Sequence, residues 1–214
     1  MELLVAIEER RAVRQFEQAP VSNEDLRKLI TAATWAPSAM NHQPWRFAIV
    51  TDPLTLQAIE TKAKTWLLEK APPGLLGPQL NALLKDPAYH VLHRAPALIV
   101  IGAPRDEKWA SEDCAMAAQN LMLRAAEFGL GTCWIGLVQD WLNTPEGLAT
   151  LKFPTWVKVV APLIVGEPSG PIGKGARKTP NIVWIGAEGS SFHEQDEAAG
   201  PESRHALYGT LIHP

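Results

Sequence analysis

Three guanidinium groups fall within five residues at Arg10, Arg11 and Arg14, where a short helical pattern runs out. A planar guanidinium fork bonds phosphate oxygens two at a time, and backbone N–H groups in such a turn add donors. The same cluster also suits a solvated patch at a helix end, where cations favour the helix dipole. A second segment, Ala36-Pro37-Ser38-Ala39-Met40-Asn41-His42-Gln43-Pro44-Trp45, is dense in hydrogen-bonding groups. Its two prolines stiffen it, as a preformed ligand site requires, although Ser, Asn and Gln also satisfy their own turns. A third, Gly129 to Gly136, combines glycines with Cys133, Trp134 and Ile135. Glycines let a ligand approach the backbone, and they equally end a helix before a buried segment. It is not a GxGxxG fingerprint. A fourth, Lys174 to Pro180, offers Arg177 and Lys178 to an anion or simply to solvent.

Other groups point to less. His90 and His93 would share a helix face, but no third ligand stands near, so no metal site is expected. Cys133 lacks a recognisable base, and the acids form no acid/base pair. The sequence therefore names no catalytic residue. Cys114 and Cys133 are too few for a disulfide framework and form no CxxC pair.

These segments need elements to hold them. Leu3, Leu4 and Ile7 have helical spacing, and Ser22 with Asp25 marks a helix start before the stripe Leu26, Leu29, Ile30, Ala33. Pro37 ends that helix. Strands are expected at 46–51, 97–101, 157–166 and 182–185, with a helix after Asp52-Pro53. The stretch 107–128 reads as a long helix rich in small residues, ended by Gly129 and Gly131. A short helix is expected at 145–151. Residues 66–94 read as an excursion of short helical pieces suited to a lid, and Trp66, Leu75, Leu76 and Tyr89 either wall a site or pack the core. The alternation of strands and helices gives an α+β or α/β class with a small sheet.

Composition narrows the partners. The 214 residues suffice for one real core without disulfides or a structural metal. With 20 Lys+Arg against 23 Asp+Glu, there is no electrostatic case for nucleic acid or an anionic membrane. The longest apolar run is about half a membrane span. Acids interrupt the apolar start, so no signal peptide is expected and the cytoplasm is the expected compartment.

Taken together, the four segments resemble the FMN-dependent nitroreductase family. Arg10 to Phe16 is similar to its opening RRSxRxF, and Ala36 to Phe47 to its APSxxNxQPWxF loop. Asp113 to Gly136 resembles its central helix and flavin-edge loop, and Arg177-Lys178 its late basic element. The resemblance covers residues 2 to 186. It implies an α+β three-layer sandwich, a small mixed sheet flanked by helices, in an intertwined homodimer with FMN at the subunit interface. The domain is 1–186, followed by a polar tail at 187–214. Arg10, Arg11 and Ala12 would hold the phosphate and ribityl end, and Arg14 the pyrimidine edge. Pro37, Ser38, Ala39 and Asn41 would come from the partner, and Trp134, Ile135 and Gly136 would meet the ring. Arg177 or Lys178 would return to the phosphate. Two departures stand out: Ala12 replaces the usual Ser, and Thr179 separates the basic pair from Pro180.

The implied activity is ping-pong hydride transfer from NAD(P)H through FMN to a nitroaromatic, a quinone or an activated enone. The alternatives are another family activity such as reductive dehalogenation, or a flavin-binding regulatory module without turnover.

Overall fold

A computed structural model describes residues 2–72, 76–173, 175–182 and 185. Its centre is a four-stranded sheet in the order β1-β2-β4-β3, made of β1 Arg46–Val50, β2 Ala97–Pro104, β3 Gly131–Trp134 and β4 Val157–Gly166. Every ladder between these strands is antiparallel. The sheet is therefore antiparallel rather than mixed as the resemblance implies, and among the described residues parallel pairing is confined to one isolated bridge, Ala12 with Thr132.

β2 and β4 are central and buried along nearly their whole length. Strand side chains alternate, so each central strand feeds two cores. Ala97, Ile99, Ile101 and Ala103 point to one face, where they meet α2 (Asn23–Ala33) and α5 (Ala110–Glu127). Leu98 and Val100 point to the other, against α3 (Pro53–Lys70), α4 (Pro78–Lys85), α6 (Gln139–Leu142) and α7 (Pro145–Thr150). Helices, sheet and helices thus form three layers. The run Ala97–Val100 lacks polar alternation because neither of its faces meets water.

The helix starts follow their local chemistry. Ser22 Oγ accepts from Asp25 N–H at 3.0 Å, and Asp52 Oδ2 accepts from Thr55 N–H at 2.9 Å ahead of Pro53. The latter hydrogen bonds, with the Thr55 hydroxyl first, lower the Asp52 pKa. α1 (Leu3–Glu9) is short and buries only Ala6. α5 packs Ala117, Ala118, Leu121 and Ala125 at zero exposure against the sheet, so small side chains bring helix and strands close.

Two expectations change. The segment after Gly129 is not merely a helix stop: Gly131–Trp134 is an edge strand, hidden from pattern reading by its four-residue length and two glycine neighbours. The strand expected at 182–185 is not formed at Ile182 or Ile185, which are exposed and unpaired; Val183 and Trp184 lie outside the described residues. In the 66–94 stretch, Trp66 belongs to α3, α4 follows, and Leu75 lies outside the described residues. No helix among the described residues is long and apolar enough to cross a membrane.

Candidate active site

The segment after α1 is laid along the sheet edge. Val13 N–H donates to Thr132 O at 3.0 Å, Glu17 N–H to Glu167 O at 2.8 Å, and Ser169 N–H to Gln15 O at 3.1 Å. A Cβ on Gly131 would sit 2.7 Å from the Val13 side chain, so only glycine lets the two backbones meet there. Val13 and Phe16 turn inward as anchors, at 8% and 7% exposure. The arginines between and before them are thereby fixed.

Arg10 and Arg11 face Arg177, which arrives on the chain after β4. A cavity of 720 Å³ lies between α1 and this late segment, lined by Glu8, Glu9, Arg11, Gly173, Gly175 and Arg177 among others. The backbone of Gly175 closes on Arg11: a Cβ there would stand 2.7 Å from Arg11 Nε. The Nε atoms of Arg10 and Arg11 are both buried with no hydrogen-bond partner among the described residues. Burial first, then the charges of Arg177 and Arg11, push the Arg10 pKa down. Like charges gathered with unused donors are costly unless an anion answers them. Lys178 is exposed and does not line the cavity, so Arg177 is the member of the late basic pair that reaches it. Ala12 presents its backbone to Thr132.

Arg14 enters a second, smaller cavity of 120 Å³ with Tyr89, His93, Cys133, Trp134, Ile135 and Gly136 on its walls. Ile135 N–H donates to Pro162 O at 2.9 Å, which sets the turn out of β3. Burial, reinforced by the Arg14 charge, pulls His93 down to about 4, so its ring is neutral at pH 7. Burial raises the Tyr89 hydroxyl. It also raises the Cys133 thiol, against the opposing pull of Arg14 and Arg10. Neither is an anion at pH 7. Arg14 has no ion-pair partner among the described residues, and its positive charge is the one that faces this cavity.

The stretch carrying Tyr89 and His93 is clamped to α3. Lys64 Nζ donates to Asp86 O and Tyr89 O, each at 2.8 Å, and His90 Nδ1 lies 3.1 Å from Glu60 Oε2. His90 and His93 therefore face different neighbours and share no ligand role. Tyr89 and His93 meet edge to face at 6.3 Å. Leu76 and Trp66 pack against the core cluster, while Tyr89 also reaches the cavity.

The segment 37–41 lies elsewhere. Pro37, Ser38, Ala39 and Asn41 line neither of these cavities in the same chain. The resemblance gives this loop to the partner subunit's site; within one chain it is the other three segments that meet. Pattern reading gave no hint of His93 beside Arg14 or of Asp113 beside Ala39, because both contacts join residues distant in sequence.

A model of the nitroreductase family matches residues 7–147. The chain belongs to the nitroreductase family. Membership makes it an oxidoreductase. An NADH dehydrogenase of Thermus thermophilus is 31% identical over 180 residues, 75% of this chain and 86% of that one. An iodotyrosine deiodinase of Thermotoga neapolitana is 30% identical over 188 residues, 78% and 89% of the two chains. Among solved structures, a nitroreductase of Bacteroides fragilis with bound FMN superposes with a TM-score of 0.77 at 25% identity, covering 86% of this chain and 99% of that one.

Proposed function

We propose that this nitroreductase-family chain binds FMN within residues 1–186, takes its electrons from NAD(P)H and reduces a nitroaromatic, a quinone or an activated enone. The observation that carries this is the buried, partnerless pair Arg10 Nε and Arg11 Nε beside Arg177. That donor set fits a phosphate monoester. The family relative crystallised with FMN supports the same reading, and the Thermus relative's name supports a nicotinamide donor.

Bound FMN would supply a two-electron centre that accepts hydride from one substrate and gives it to the next. The chain's own residues do the rest. Arg10, Arg11 and Arg177 would hold the phosphate, with a backbone N–H of the Ala12 turn as a further donor. Arg14 places an unpaired cation where negative charge would gather at the pyrimidine edge. The neutral His93 neither repels nor neutralises that cation. Trp134, Ile135 and Gly136, which line the small cavity, would give the ring a wall. Tyr89, His93 and Cys133 line the small cavity as neutral groups, and solvent can supply the protons.

The loop 37–41 would complete the site of a second copy. Its support is the apolar surface beside it: Trp35 is 82% exposed and Leu3 67%, on either side of a groove of 350 Å³ between α1, α2 and α5. Exposed apolar surface of this kind marks an interface, so we read the working form as a homodimer. Free, buried Cys114 and Cys133 suit a reducing compartment such as the cytoplasm.

A second reading, reductive dehalogenation of an aromatic substrate, is favoured by the Thermotoga relative. The test is a visible spectrum of the purified protein followed by anaerobic NADH and NADPH. Flavin bands that bleach support the reductase. Bands that persist point to a flavin-binding module, and a colourless protein that takes up no FMN overturns the proposal. Turnover of a halogenated phenol in place of nitroaromatics and quinones would select the second reading.

A further inference from the structure

We propose that Asp113 is the positioning residue that holds the 37–43 loop in the shape with which it enters the flavin site of a second copy. This rests on the shared-site reading above and adds a residue to it.

The contact is specific. Ala39 N–H donates to Asp113 Oδ1 at 2.9 Å, across 74 positions of sequence. Asp113 is 1% exposed and pairs with no cation among the described residues, a rare condition for a carboxylate. It sits in the first turn of α5, where the helix dipole favours a negative charge. Its other oxygen, Oδ2, is buried and has no partner among the described residues. α5 itself cannot shift freely, because its inner face is packed at zero exposure on the sheet. Asp113 is thus a fixed post, and Ala39 is tied to it.

The loop needs such a post. Met40, Asn41 and Gln43 all have left-handed backbones, with φ of 49°, 57° and 48°. Side chains disfavour that region, so three such residues in four persist only when outside contacts over-determine them. The other contacts are weaker candidates for that task. Gln43 N–H donates to Ser38 Oγ at 3.0 Å within the loop, and exposed His42 lies 3.3 Å from Glu107 Oε1. Asp113 supplies the buried tie from outside the loop. Met40, next to the tied residue, is 89% exposed and projects from the chain. Asp113 would touch no flavin; it acts through the Ala39 backbone.

The experiment measures FMN affinity in homodimers and in one mixed dimer. Wild type must first take up FMN; if it does not, the function proposed above falls and this inference with it. Asp113→Ala is expected to weaken FMN about tenfold or more, and Asp113→Asn, which keeps an amide oxygen for Ala39 N–H, to restore most of that loss. Wild-type affinity in Asp113→Ala would overturn this inference alone. The decisive arm pairs an Asp113→Ala subunit with an Arg10→Ala subunit. Both lesions then fall on one flavin, so one site per dimer should retain wild-type affinity. A mixed dimer with no tight site would overturn the positioning across the interface. If Asp113→Ala does not fold, Ala39→Pro removes the donor from the other end of the bond, and Ser38 is already extended (φ −138°, ψ 154°) as a residue before proline must be. The same mixed-dimer outcomes then decide.

Discussion

The arginine segment and the 37–43 loop are built by opposite means. Residues 12–17 are held by backbone: bridges at Ala12–Thr132 and Phe16–Pro168 stitch the segment to β3 and to the chain just beyond β4. Val13 and Phe16 turn inward as anchors, which leaves the Arg14 side chain to face a cavity. The loop has no strand partner among the described residues: a single backbone turn closes it from within, and the side chains of Asp113, Ser38 and Glu107 hold it in place. The first region assembles its cavities within one chain. The second lines neither of them. Backbone pairing tolerates side-chain change, whereas a loop held by three side chains depends on each, so the two regions should respond differently to substitution.

The largest effect should come from removing the charges that the backbone-held segment presents. Arg10→Ala with Arg11→Ala should weaken FMN on the order of a hundredfold or more, since each charge-assisted bond is worth about 1.5–3 kcal/mol. Equilibrium titration against the flavin spectrum checks this, and unchanged affinity would remove the phosphate assignment. Gly131→Val strikes the stitching itself. Its Cβ would meet Val13 at 2.7 Å, so a loss of about 1–3 kcal/mol is expected in urea unfolding, as for other overpacked positions. If stability were unchanged, the close approach would not hold the segment.

A pH series sharpens the comparison at the small cavity. His93 titrates near 4 when folded and near its ordinary 6.5 when unfolded. The unfolded chain therefore binds the extra proton between these values, and stability should fall as pH drops from about 6.5 toward 4. His93→Gln should flatten that part of the curve, and an identical slope in both proteins would deny His93 the buried position. The smallest effect is expected in the loop. Ser38→Ala removes the acceptor for Gln43 N–H and should cost about 1 kcal/mol or less in melting, while weakening FMN a few-fold through the partner's site. A larger loss of FMN than in the arginine variants would reverse the ranking of the two regions.

Much of the fold was legible because local physics decided it. The Ser22 and Asp52 caps, the proline after Asp52 and the small-residue stripe of α5 each act within a few residues. The edge strand β3 was not, because four residues flanked by glycines carry no period. The strand expected near 182–185 failed at both described positions, since an apolar run does not say where its partner strand lies. In the site, residue types revealed the arginines, the loop and the Trp134–Gly136 turn.

The sequence alone thus determined which side chains carry charge and hydrogen-bonding capacity, where helices begin, and which family the chain resembles. Those properties belong to single residues and to spacings shorter than a few helical turns. Only the tertiary structure decided that Arg177 rather than Lys178 joins Arg10 and Arg11, that His93 lies neutral beside Arg14, and that Asp113 ties Ala39. Each of those facts is a meeting of residues from distant parts of the chain. Such meetings are set by how the sheet and its two helical layers pack, and no local pattern encodes them.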